Sequence, residues 1–169
     1  MKIFLIGYMY SGKTTVGKQL AKKLKYDFLD TDTIFETQYQ TSISDYFVEF
    51  GEAAFRTAER KILEDLKTYP SNVIISTGGG FPCFNNNIEL MREIGVVIYL
   101  ESSVCTVYNR FDKSQSQRPL LANLSKEDAI RKIESHLAER EPFYKQANIT
   151  LSAENVNFEA LVQILSPLL

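Results

Sequence analysis

A chain of 169 residues, 44% hydrophobic and 24% charged, has the size and balance of one globular domain that buries a core without disulfide or metal staples. Its net charge of −2 excludes the overall basic field that favours nucleic acid. Its two cysteines, Cys83 and Cys105, stand in no metal-ligand or CxxC spacing and read as reduced, semi-buried thiols.

The first apolar run, "KIFLI" (2–6), reads as a strand and is too short for a signal segment or a membrane span. With no targeting pattern, the cytoplasm is the expected location. "GYMYSGKTT" follows and matches the P-loop pattern Gly7-x-x-x-x-Gly12-Lys13-Thr14, with a helical stretch (13–24) behind it. Backbone N–H groups at such a helix start ring phosphates. Lys13 adds a mobile charge, and the Thr14 hydroxyl is a ligand for Mg²⁺. The expected ATP-binding set is Gly7, Tyr10, Ser11, Gly12, Lys13, Thr14 and Thr15. Tyr10 is the oddity, a bulky ring where small residues are usual. No Asn-Lys-x-Asp guanine motif is present.

A second strand (26–30) ends in "FLDTD". Many P-loop ATPases place a metal-positioning Asp at a strand end, but the third strand here (72–76) runs into "STGGG" with no acid. The carboxylates of Asp30 and Asp32 are the alternative. At a strand C-terminus they face the ligand crevice, one suited to a metal-bound water and the other to a substrate hydroxyl. Asp32 reads equally as the N-cap of a helix over 32–40. The next helix, 52–67, carries Phe55, Ala58, Ile62 and Leu66 at helical spacing. It also places Arg56 and Glu59 on one face. Gly78, Gly79 and Gly80 allow close approach of a ligand to the backbone. Further helices are expected at 86–94, 103–111, 126–144 and 157–165, with strands at 96–100 and 148–152. Ser125 and Asp128 form a capping pair. The polar, breaker-rich stretch 112–124 reads as a lid within a single domain, 1–169. Arg118 in that stretch and Arg140 late in the long helix are individually ordinary surface charges; together they suit an anionic acceptor. His136 reads as an ordinary exposed or capping residue. Strand–helix alternation implies a three-layer α/β/α fold around a parallel sheet.

The ordered set "GYMYSGKTT", "FLDTD", "GEAAFRTAE", "IISTGGG", "RPLL" and "EREPFY" resembles the shikimate kinase family over nearly the whole chain. The resemblance implies an α/β P-loop kinase fold, a five-stranded parallel sheet in the order 2-3-1-4-5 with a lid. It implies transfer of the ATP γ-phosphate to the 3-hydroxyl of shikimate, on the route to chorismate and the aromatic amino acids. It makes Lys13 the phosphate lysine and Thr14 the Mg²⁺ ligand, with Asp30 acting through water and Ser76 nearby. Asp32 becomes the base or orienter at the acceptor hydroxyl. Arg56 and Arg140 become the carboxylate clamp, with Glu59 holding Arg56 and Gly79 donating an N–H. Phe47 and Phe55 become pocket walls. Arg118 becomes the lid cation on the transferring phosphate. Arg110, Ser152 and Ala153 become the adenine neighbours. The expected partners are ATP and shikimate, with no nucleic acid and no membrane, and a monomer is the expected state. Two other readings remain open: a gluconate-type or nucleotide kinase, and a non-catalytic nucleotide-binding module.

Overall fold

The computed structural model describes residues 1–70, 72–113 and 124–168. Five strands form one parallel sheet: β1 (Lys2–Ile6), β2 (Asp27–Asp30), β3 (Val73–Ser76), β4 (Val96–Glu101) and β5 (Ile149–Ser152), in the order β2-β3-β1-β4-β5. This is the expected order. The central strands are buried along nearly their whole length, which explains their unbroken apolar runs: both faces are covered, so no alternation is needed. Register brings the strand ends level. Leu5 lies beside Ser76, and Ser76 beside Asp30. The phosphate loop, the third-strand glycines and the Asp30–Asp32 segment therefore leave the sheet along one edge.

Helices α1 (Lys13–Leu24) and α7 (Phe158–Leu165) cover one face, packing on Ile3, Leu5, Ile74, Ile98 and Leu100. On the other face, helices α2 (Thr31–Tyr39), α3 (Ile43–Lys67), α4 (Asn87–Ile94), α5 (Val104–Lys113) and α6 (Lys126–Tyr144) pack around Phe4, Ile6, Val73, Ile75, Val97 and Tyr99. Phe55, Ala58, Ile62 and Leu66 are all buried there, as their spacing implied. Ser125 caps α6, accepting from the Asp128 N–H.

The structure differs from the sequence reading at several elements and side chains. Helix α3 begins at Ile43 rather than 52 and contains a break at Gly51 (φ 78°, ψ 174°). The extra segment is capped by Ser42, whose hydroxyl accepts from Asp45 N–H. Its apolar pattern is poor because Val48 is 89% exposed, so periodicity did not reveal it. Short 3₁₀ turns occur at Phe81–Cys83 and Ser166–Leu168. Cys105 is exposed rather than semi-buried, while Cys83 is half-buried; both are free thiols. His136 caps nothing: it is half-buried, with Nδ1 3.3 Å from the Tyr8 hydroxyl. Arg118 and nearly all of the expected lid lie outside the described residues. Among those described, no helix is long and apolar enough to cross a membrane.

Candidate active site

The phosphate loop is built by backbone geometry. Lys13 opens α1 behind Gly12, and its ammonium folds back to donate to the carbonyls of Gly7 (2.9 Å) and Tyr8 (2.8 Å). The residue is only 8% exposed, so its charge is held inside the loop's ring rather than in solvent. Tyr10 adopts a left-handed conformation, φ 63°, which costs a non-glycine residue roughly 1 kcal/mol. Its ring packs edge-on against Phe111 of α5, centroids 5.9 Å apart, and its carbonyl accepts from Arg110 Nη1 at 2.9 Å. The bulky side chain thus lies over α5 rather than in the cradle. Arg110 also donates from Nη2 to the Ala153 carbonyl at 3.2 Å. One guanidinium ties the phosphate loop to the turn after β5, whose last residue is Ser152.

Beyond the loop, Asp30 uses its two oxygens differently. Oδ1 accepts from the Asp32 N–H (3.1 Å), and Oδ2 accepts from the Thr14 hydroxyl (3.0 Å). The helix cap is therefore Asp30, not Asp32, which sits one turn-position inside α2 with its side chain directed at Gly78. Ser76 Oγ lies 3.4 Å from Thr14 Oγ1. Thr14, Asp30 and Ser76 make an all-oxygen set with one carboxylate. Among the described residues no group of three or more His, Cys, Asp or Glu could hold a metal ion. One carboxylate and two hydroxyls are oxygen donors of the kind Mg²⁺ accepts, a cation that keeps water and phosphate ligands.

The loop after β3 gathers the remaining candidates. A Cβ on Gly78 would stand 2.8 Å from Asp32 Oδ1; on Gly79, 3.3 Å from Arg140 Nη1; on Gly80, 2.9 Å from both terminal nitrogens of Arg56. Each glycine makes room for a different charged side chain. The Gly78 N–H donates to Thr31 Oγ1 at 3.1 Å. The Gly79 carbonyl accepts from the Tyr144 hydroxyl (2.6 Å), which fixes the loop against α6.

The two arginines are held in different ways. Arg56 donates from Nη1 to Glu59 Oε2 (2.7 Å) and from Nη2 to Glu52 Oε1 (2.9 Å), and it lies over the ring of Phe84 at 4.0 Å, with Phe55 at 5.2 Å and Phe47 at 6.0 Å. Glu59 is 4% exposed, and burial pushes its carboxyl up to about 7 against the opposing pull of Arg56. Arg140 lies over the Tyr8 ring at 5.5 Å and has no carboxylate within 4 Å among the described residues. Burial, then the Arg140 charge, lowers the His136 pKa. Burial also raises the Cys83 thiol to about 11, although Arg140 and Arg56 oppose it. Both guanidinium groups thus act on one small region beside the Gly78–Gly80 loop.

Sequence reasoning missed Glu52, Phe84, Thr31, Tyr8 and Tyr144. Glu52 had a signal, its four-residue spacing from Arg56. The others touch the site only through the tertiary fold. An open groove of about 520 Å³ lies to one side between α1 and α2 and is lined by Lys18, Phe28, Ile34 and Gln38 besides Thr14 and Asp30. It contains neither arginine, so its size does not mark the acceptor position.

The sequence matches the protein-family model for shikimate kinase over residues 9–167. A shikimate kinase of Azobacteroides pseudotrichonymphae is 40% identical over 166 residues, covering 98% of this chain and 98% of the relative. The crystal structure of shikimate kinase from Bacteroides thetaiotaomicron superposes with a TM-score of 0.91 at 37% identity, covering 99% of this chain and 97% of that one. Shikimate kinase from Acinetobacter baumannii, in complex with shikimate, superposes with a TM-score of 0.84 at 33% identity, covering 99% and 91%.

Proposed function

The chain belongs to the shikimate kinase family and transfers the γ-phosphate of ATP to the 3-hydroxyl of shikimate, on the route to chorismate; we propose that Asp32 meets that hydroxyl while Arg56 and Arg140 hold the substrate carboxylate. The observation that carries this division of labour is the Gly78–Gly80 loop, along which Asp32, Arg140 and Arg56 stand in succession. One carboxylate and two cations at fixed spacing suit a small ring bearing a hydroxyl at one end and a carboxylate at the other. Arg140 in particular has no carboxylate partner among the described residues, and a guanidinium pairs a carboxylate in bidentate fashion. Phe47 and Phe55 wall the pocket around Arg56, and the Gly79 N–H is the backbone donor.

In the transfer, Asp32 accepts the hydrogen bond of the 3-hydroxyl and takes its proton as the oxygen attacks the γ-phosphorus. The bond from that phosphorus to the β,γ-bridging oxygen breaks, and ADP leaves with the electron pair. Lys13 moves from the loop carbonyls to the phosphates, exchanging neutral acceptors for charged ones. Little covalent help is needed; positioning and charge stabilisation carry the rate. Mg²⁺ fits the oxygen set of Thr14, Asp30 (through water) and Ser76 (through water), and when bound it supplies neutralisation of phosphate charge. Arg110, Ser152 and Ala153 form the adenine side, supported by the Arg110 bridge from the phosphate loop to Ala153. Arg118 is the cation of the proposed lid, 112–124, a role supported by its polar, proline-containing sequence. The proposed form is a cytoplasmic monomer.

The test is ADP release by purified protein with ATP and Mg²⁺, with shikimate and with a panel of small alcohols including gluconate and nucleosides. The expected result is turnover with shikimate alone, giving shikimate 3-phosphate. Phosphorylation of another alcohol with shikimate left unmodified overturns the acceptor assignment. Arg140→Ala should raise KM for shikimate by roughly 30- to 1,000-fold with ATP binding nearly intact, the scale of a lost charge-assisted pair.

A further inference from the structure

Tyr8 is the second residue of the phosphate loop, and its side chain packs in the core against α6. The residue is 1% exposed. Its carbonyl accepts from Lys13 Nζ at 2.8 Å, while the face of its ring lies under the Arg140 guanidinium, 5.5 Å from Cζ. Its hydroxyl meets His136 Nδ1 at 3.3 Å, one helical turn before Arg140 on α6, with the two rings 6.5 Å apart. Arg140 also lies close to Gly79, where a Cβ would stand 3.3 Å from Nη1, and the Gly79 backbone is fixed by Tyr144 of the same helix. Arg140 therefore has an aromatic face and the Tyr144 hydroxyl beside it, with no carboxylate of the described chain to orient it. Arg56, by contrast, is oriented by two glutamates.

We propose that Tyr8 is a positioning residue for the acceptor clamp: its ring seats Arg140, and its hydroxyl bond to His136 fixes the ring against α6. A cation over an aromatic face within about 6 Å is attracted by the ring's negative face without being neutralised. Such a seat leaves Arg140 its full charge for the substrate, whereas Arg56 shares its charge with Glu52 and Glu59. A carboxylate partner would orient the guanidinium equally well but would compete with the substrate's own carboxylate for it. The assignment rests on the reading of Arg140 as a ligand of the shikimate carboxylate. It also joins the two halves of the site, because the same residue's carbonyl holds Lys13.

The experiment measures KM for shikimate, KM for ATP and kcat for Tyr8→Leu, Tyr8→Phe, Arg140→Ala and the Tyr8→Leu/Arg140→Ala double variant, with a thermal melt of each. Tyr8→Leu removes the seat and should raise KM for shikimate by roughly 5- to 30-fold, leaving KM for ATP within about twofold because the backbone carbonyl remains. Tyr8→Phe keeps the ring and should raise it by no more than about threefold. In the Arg140→Ala background, Tyr8→Leu should add nothing. If Arg140→Ala leaves the acceptor KM unchanged, the reading of the clamp fails. If Arg140→Ala raises it and Tyr8→Leu does not, or if the two effects multiply, the clamp stands and the seat proposed for Tyr8 is wrong. Should Tyr8→Leu melt too low to assay, Tyr8→Trp keeps an aromatic face and should hold KM near wild type; a rise as large as that of Arg140→Ala overturns the proposal.

Discussion

Glu59→Gln separates the structural cost of the buried carboxyl from its use as the holder of Arg56. The Glu59 carboxyl titrates at about 7 in the folded protein against 4.5 for an exposed glutamate, with burial the largest cause. Its folded pKa is raised, so the folded state binds the proton more tightly than the unfolded chain does. The associated stability is fully present below about pH 4.5 and is lost as pH rises through 7. At about 1.4 kcal/mol per pH unit, the loss across that window is on the order of 3 kcal/mol. Glutamine has the same shape and an amide oxygen that still accepts from Arg56 Nη1, but it does not titrate. Urea unfolding of both proteins at pH 5, 6, 7 and 8 gives the difference in stability at each pH, and other titrating groups, including His136, cancel in the difference. The variant should gain on the wild type by about 2.5 kcal/mol between pH 5 and pH 8, since part of the loss has already occurred at pH 5. KM for shikimate at pH 7.5 should rise several-fold, because Glu52 alone then supplies the charge that orients Arg56. A stability difference that does not change with pH would refute the argument: Glu59 would then be ionised throughout, with the 2.7 Å contact to Arg56 outweighing burial.

Asp32→Asn should bind ATP and Mg²⁺ normally and lose about 10²- to 10⁴-fold in kcat, the range for a general base; near-normal turnover would remove it from the chemistry. Asp30→Asn keeps a capping oxygen but weakens the charge beside Thr14, so the Mg²⁺ requirement measured by titration should rise and excess Mg²⁺ should restore part of the rate. Arg118→Ala should lower kcat by about 10²- to 10³-fold with smaller changes in KM; an unchanged kcat would take it out of the mechanism. Gly80→Ala is sterically open at the backbone, with φ at −88°, but its methyl would stand 2.9 Å from the Arg56 nitrogens. It should displace the guanidinium and raise KM for shikimate by about 10- to 100-fold with a melting temperature close to wild type, as read by acceptor titration beside a thermal melt.

Local sequence determined the elements and their order. The unbroken apolar runs of β1, β3 and β4 require a sheet covered on both faces. The glycines and Lys13 behind β1 require a phosphate loop, because only backbone N–H groups at a helix start, with little side-chain bulk, can ring a phosphate. The ordered motifs carried the family. What needed the tertiary structure is everything decided by who faces whom. From "FLDTD" Asp32 read as a cap or a ligand and Asp30 as a ligand, although either can reach a backbone N–H two residues on; the structure gives the cap to Asp30 and directs Asp32 at Gly78. Helix 43–50 escaped notice because an exposed valine and phenylalanine blur its period before the Gly51 break. Tyr10 looked like a misfit in the loop and proved to be a ring resting on α5. Tyr8 and His136, 128 residues apart in the chain, carry no shared signal at all. They meet because the loop after β1 and helix α6 come together over one face of the sheet, and no spacing rule spans that distance.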